Sequence, residues 1–110
     1  MEDDGIIRGR ELLLDAKALG LTVSVFAEIR LKQHDEDTLE ALEAAARGRP
    51  EILECFSMSG DADYLLRILV RSVDDYETFL KTVLLHMPGV ASVNSRFALK
   101  TVKLTGQLPI

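Results

Sequence analysis

From Tyr76 onward, apolar side chains recur at Phe79, Leu80, Val83, Leu84 and Met87, at offsets of three, four, seven, eight and eleven residues. That spacing draws a single stripe along a 3.6-residue helix, and a helix with one apolar stripe must lie on something apolar. Pro88-Gly89 is the natural stop for it. The segment just before it, Tyr64 to Arg71 (YLLRILVR), reads as a strand. Further upstream the period changes to two: Val23, Val25, Ala27, Ile29 and Leu31 alternate with Thr22, Ser24, Phe26, Glu28 and Arg30. This predicts a strand with one apolar face and one mixed face on which Phe26 is the exception. Between them, Asp35 to Arg47 predicts a helix, with acidic residues in its first turn, Leu39, Leu42 and Ala46 as its stripe, and Gly48 and Pro50 after it. Glu51 to Ser59 and Val90 to Leu104 predict two more strands.

The order from residue 22 is thus β-α-β-β-α-β, the split arrangement of an α+β, ferredoxin-like fold. Right-handed crossovers place both helices on one face of a four-stranded antiparallel sheet. The other face is left bare, carrying Phe26, Leu65, Leu69 and Phe56 among polar residues. Large apolar groups on an open sheet face meet another protein surface, so the expected unit is a dimer. Residues 6–14, interrupted by Gly9, predict an extra N-terminal strand. Residues 1–20, with that strand, are accordingly set apart from residues 21–110, which are assigned to the domain.

Aromatic residues make up only 5% of the 110, so Leu, Ile, Val and Ala must fill the core. The net charge of −5 repels a phosphate backbone and argues against nucleic-acid binding by this chain itself. A single cysteine, Cys55, excludes an internal disulfide or a cysteine-pair zinc site, and its place in an apolar strand suggests a small packed hydrophobe. The acidic start MEDDG is unlike a signal peptide, and no apolar run approaches a membrane span. The cytoplasm is the expected compartment.

One short stretch bears on function: "SMSGDADYLL", residues 57–66. Ser59, Gly60, Asp61, Ala62 and Asp63 join two strands and end at Tyr64. Gly accepts a positive φ and Asp bonds its own backbone, as a plain hairpin turn requires. The same features also suit a zwitterion. Backbone N–H groups around Gly60 can receive a carboxylate, and Asp61 or Asp63 an ammonium. The further oxygen ligands of a calcium loop do not follow, and no metal or cofactor is expected. His86 stands near a helix C-terminus, where it can serve the dipole or line a pocket. His34 and His86 lie far apart with no apparent nucleophile partner. Ser57, Ser59 and Ser95 lack a nucleophile context, so no catalytic set is visible. Arg67, Arg71, Arg96, Lys100 and Lys103 are spread along strands as solvated or rim charge.

Taken together, three motifs resemble one family. The opening "EDDGIIRGRELLLDAKALGL" resembles the end of the linker and first strand of Lrp/AsnC (feast/famine) transcription regulators. "SMSGDADYLLRILVRSVDDYETFL" resembles their Gly-Asp-x-Asp-Tyr turn, strand and helix, and "LLHMPGVASVNSRFALKTVKLTGQLPI" their Pro-Gly-Val corner and last strand. The resemblance runs from about residue 3 to 110 and implies the C-terminal regulatory (RAM) domain without its helix-turn-helix partner domain. It implies a βαββαβ unit that dimerises through its sheets, assembles to tetramers or octamers, and binds an amino acid or similar effector between dimers. The matched positions are Gly60, Asp61, Asp63 and Tyr64, with Ser59 and Ala62 in the same loop and His86 contributed from a neighbouring subunit. DNA contact would belong to the helix-turn-helix domain, and the effector would modulate transcription through assembly. A ligand-free assembly module and a small dimeric ferredoxin-like enzyme are the alternatives.

Overall fold

The structure, a computed structural model, describes residues 20–103. The expected N-terminal strand at residues 6–14 and the last residues of the chain lie outside them. Strand β1 (Val23–Leu31) leads into helix α1 (Glu36–Arg47), followed by β2 (Ile52–Ser57), β3 (Tyr64–Val70), α2 (Val73–Thr82), a 3₁₀ turn (Leu84–His86) and β4 (Val90–Phe97). The strands form one antiparallel sheet in the order β2-β3-β1-β4. This is the expected ferredoxin-like arrangement.

Local chemistry sets the helix starts. Asp35 caps α1 by accepting from the Thr38 N–H at 3.1 Å and the Thr38 hydroxyl at 2.7 Å. Ser72 caps α2 by accepting from the Asp75 N–H at 3.0 Å. Each helix has acidic residues in its first turn and a basic one in its last, matching the macrodipole.

Both helices lie on the same face of the sheet. Leu42 and Ala46 of α1 and Tyr76 and Phe79 of α2 bury against Val25, Ala27 and Ile29 of β1 and Leu66 and Ile68 of β3. Register explains the selection. Val25 pairs with Ile68, Ala27 with Leu66 and Ile29 with Tyr64, so every second residue of each strand faces the helices. Tyr76 packs edge-on against Phe97 with ring centroids 5.5 Å apart, and its hydroxyl is hydrogen-bonded to Ser95.

Three expectations are corrected. The second helix ends at Thr82 rather than running on to Met87. Val83 departs to φ −118°, and Pro88 holds Met87 in extended backbone (φ −67°, ψ 149°), so the last turn tightens to 3₁₀ while still burying Leu84 and Met87. Strand β4 stops at Phe97, not Leu104. Its neighbour β1 begins at Val23, and after Ala98 donates to the Ser24 carbonyl there is no ladder to extend. Leu99 and Val102 are then 96% and 85% exposed instead of filling a strand face. Cys55 is exposed, because β2 is an edge strand whose last four residues are uncovered. Partial burial, reinforced by Glu43, pushes its thiol pKa up, which makes it a poor nucleophile.

Candidate functional site

The hairpin and the Pro-Gly-Val corner meet at the same end of the sheet, on either side of the end of β1. Asp63 N–H donates to the Ile29 carbonyl at 2.8 Å, and Leu31 N–H donates to Asp63 Oδ2 at 2.7 Å. One residue on, Lys32 N–H donates to the Gly89 carbonyl at 2.8 Å. Met58 N–H closes the hairpin on the Asp63 carbonyl at 3.0 Å. Asp63 therefore uses its N–H, its carbonyl and its carboxylate to hold the loop in place. His34 Nε2 completes the set, 2.9 Å from Asp63 Oδ1.

Between those anchors the loop stands out from the fold. Ser59, Gly60 and Asp61 are exposed and Ala62 is half-buried. Gly60 has φ +96°, a backbone shape that L-residues avoid, while the space where a Cβ would sit is open. The glycine is required here by conformation and not by crowding. Gly89 differs, because at φ +73° a Cβ would overlap the Thr38 methyl in the first turn of α1.

Of the residues singled out in the sequence, Ser59 to Asp63 do come together in one loop. Tyr64 does not share it. It faces the helices and is buried, and its hydroxyl donates to Glu43 of α1. Burial first, and then the Glu43 carboxylate, pushes the Tyr64 phenol up to about 12, so it acts only as a neutral donor. His86 is exposed in the 3₁₀ turn, and no hydrogen bond among the described residues joins it to the hairpin. Two contributors were invisible beforehand, His34 and Glu43. Their partners are 29 and 21 residues away, and no local pattern signals a contact of that range.

Beneath the hairpin, on the helix side, lies an open cavity of about 430 Å³ bordered by Glu43, Arg47, Cys55, Ser57 and Tyr64. Arg47 and Glu43 pair across one helical turn at 3.5 Å. The opposite, bare face of the sheet carries Phe26, Phe56 and Leu65, with Phe56 48% exposed. Two ion pairs lie on it, Arg67 with Glu54 at 3.5 Å and Arg96 with Glu28 at 3.3 Å. Leu69 shares that face but is buried.

The Leu31 N–H, helped by His34, holds the Asp63 carboxyl below the usual carboxylate range; the Thr38 hydroxyl and N–H do the same for Asp35. Groups that ionise more readily folded than unfolded stabilise fully above the ordinary pKa of about 3.9 and lose that contribution as pH falls through the lower folded value. Urea midpoints should therefore drop in this acid range. Asp63→Asn should flatten part of the drop, and an unchanged profile would show that Asp63 is not among the groups responsible.

Among the described residues, no helix is long and apolar enough to cross a membrane and no three metal-ligating side chains stand together. The described residues thus form an α+β unit with a polar hairpin braced at one end of its sheet. The family described as the Lrp/AsnC ligand binding domain matches residues 24–108. The Bkd operon transcriptional regulator of Pseudomonas aeruginosa is 37% identical across all of this chain and 72% of its own length. The DNA-binding transcriptional activator DecR of Escherichia coli K12 is 34% identical with the same coverage. An AsnC family transcriptional regulator from Agrobacterium tumefaciens superposes with a TM-score of 0.79 at 38% identity, over 99% of this chain and 71% of that one. A transcriptional regulator from Neisseria meningitidis, solved as a complex with L-Met, gives a TM-score of 0.79 at 31% identity, over 86% of this chain and 60% of that one. This chain belongs to the Lrp/AsnC family, as its three motifs implied, and corresponds to the family's ligand-binding domain.

Proposed function

We propose that the chain is a non-catalytic effector-binding and oligomerisation domain that holds an amino acid or similar zwitterion beside Gly60 and Asp61, where two dimers meet. The observation that carries this is the division of labour in the hairpin. Asp63 is committed to bracing, whereas Gly60 and Asp61 project from the fold with their polar groups exposed. A carboxylate fits the loop N–H groups and an ammonium fits Asp61. Among the described residues Ser59, Gly60 and Asp61 stand exposed, and a neighbouring copy would wall the site, with His86 as a candidate contribution. The relative solved with L-Met supports an amino acid as the ligand class.

Pairing would occur through the bare sheet face, whose apolar groups Phe26, Phe56 and Leu65 lie beside the Arg67–Glu54 and Arg96–Glu28 pairs. Dimers would then assemble to tetramers or octamers in the cytoplasm. The net charge of −5 opposes a DNA backbone, so contact with DNA is assigned to a helix-turn-helix unit of the kind named for its relatives. The effector acts by population shift: it biases assembly only by its difference in affinity between states, and a tenfold bias needs about 1.4 kcal/mol. One charge-assisted hydrogen bond, at about 1.5–3 kcal/mol, is enough.

Thermal unfolding with each of the twenty amino acids tests this. A ligand at about 100 times its Kd should add about 2.7 kcal/mol of stability. Flat curves across the whole panel would favour an assembly module without a ligand. Asp61→Ala should weaken the responding amino acid about tenfold or more, the cost of one lost charged hydrogen bond, and leave the oligomer mass unchanged. Gly60→Val should do likewise through its strained φ. Loss of the oligomer in either variant would make the turn a structural contact instead.

A further inference from the structure

We propose that His34 is a positioning residue for effector binding, acting through the Asp63 carboxylate; this rests on reading the Gly60–Asp61 loop as the effector site. An ionised carboxylate only accepts hydrogen bonds, so His34 Nε2 carries the proton and donates to Asp63 Oδ1. Oδ2 is taken by the Leu31 N–H at 2.7 Å. The carboxylate thus ties together three separate pieces of chain: the last residue of β1, the link to α1, and the hairpin.

His34 is well placed for this. It directly precedes Asp35, which is fixed as the cap of α1 by two bonds to Thr38. The imidazole is therefore carried on backbone anchored to the helix start, and it ties the hairpin to that point. Asp63 also supplies the carbonyl that closes the loop on Met58. A turn of the Asp63 side chain is transmitted to the backbone from which Gly60 and Asp61 project. With Oδ2 bonded but Oδ1 released, the carboxylate could pivot about the Leu31 contact and the loop with it.

The pair lies near solvent, with side-chain exposures of 65% for His34 and 23% for Asp63. Such pairs add little to folding. Their geometric effect on a loop that must present two groups to one small ligand is larger in relative terms, because binding requires both groups at once. His34 should thus matter for affinity more than for stability.

Isothermal titration of the whole chain tests this. The probe is L-methionine first, then whichever of the other nineteen amino acids raises the Tm most. His34→Ala should weaken binding about fivefold, the ceiling for an exposed pair, with the Tm of the free protein almost unmoved. His34→Gln places an amide Nε2–H near the same point and should recover most of the loss. Unchanged affinity in His34→Ala overturns the proposal. So does a Gln variant as weak as the Ala variant, since the imidazole would then be touching the ligand itself. Asp61→Ala separates the two levels of the argument. If it weakens binding tenfold or more while His34→Ala binds as wild type does, only the role of His34 fails. If wild type binds no amino acid, or Asp61→Ala binds as wild type does, the hairpin reading fails and His34 with it.

Discussion

Gly89→Ala lowers the stability of the fold by about 2–3 kcal/mol, or roughly 10–20 °C in Tm. Two costs combine. The residue sits at φ +73°, where an L side chain is strained by about 1–2 kcal/mol. In addition, the new methyl overlaps Thr38 Cγ2. Thr38 cannot simply rotate away, because its hydroxyl donates to Asp35 Oδ1 in the cap of α1. Giving way would cost that hydrogen bond, worth about 0.5–1.5 kcal/mol. A double-mutant cycle with Thr38→Ser separates the parts, since serine keeps the hydroxyl and loses the methyl. Gly89→Ala should cost less on the serine background. Equal costs on both would show that the approach of the corner to α1 is not what selects glycine.

If the bare sheet face pairs as proposed, Leu65→Asp should shift the chain from dimer to monomer, with a Kd raised more than about a hundredfold. Leu65 stands on the bare face, opposite Phe56 on one side and Glu28 on the other. Sheet-to-sheet pairing would bury the new carboxylate without a partner, at about 3 kcal/mol or more. The neighbouring cations offer little relief, since Arg67 is paired with Glu54 and Arg96 with Glu28. Leu65 points away from the helices, so the subunit itself should keep its fold and its circular dichroism. Leu69 is a poorer choice because it is buried within the subunit. Light scattering gives the answer directly: a mass near 12.2 kDa is expected for the variant, and twice that or more for wild type. A variant that keeps the wild-type mass would place the subunit contact elsewhere.

The bare face and the Gly89 corner differ in how much of each is written in the local sequence. The open face was legible in advance: alternation along Thr22–Leu31 put Phe26 with Ser24 and Glu28, and the structure keeps them together. The fit of Gly89 against Thr38 was not. The sequence shows a Pro-Gly corner, but the crowding comes from a residue 51 positions earlier. The hairpin divides in the same way. Gly60 announces a positive φ by being glycine, yet the two aspartates look equivalent on paper. Only their surroundings assign Asp63 to bracing and leave Asp61 exposed.

Strand and helix order and the faces of β1 and β3 were determined by the sequence alone. Each depends on interactions within a few residues or on a simple periodicity. The tertiary structure decided where β4 ends, that the last turn of the second helix becomes 3₁₀, that Cys55 lies on an open edge, and that His34 meets Asp63. These depend on which strand lies alongside and how far it reaches. A strand extends only where a neighbour offers its backbone, and a side chain finds a distant partner only once the sheet has brought the two together.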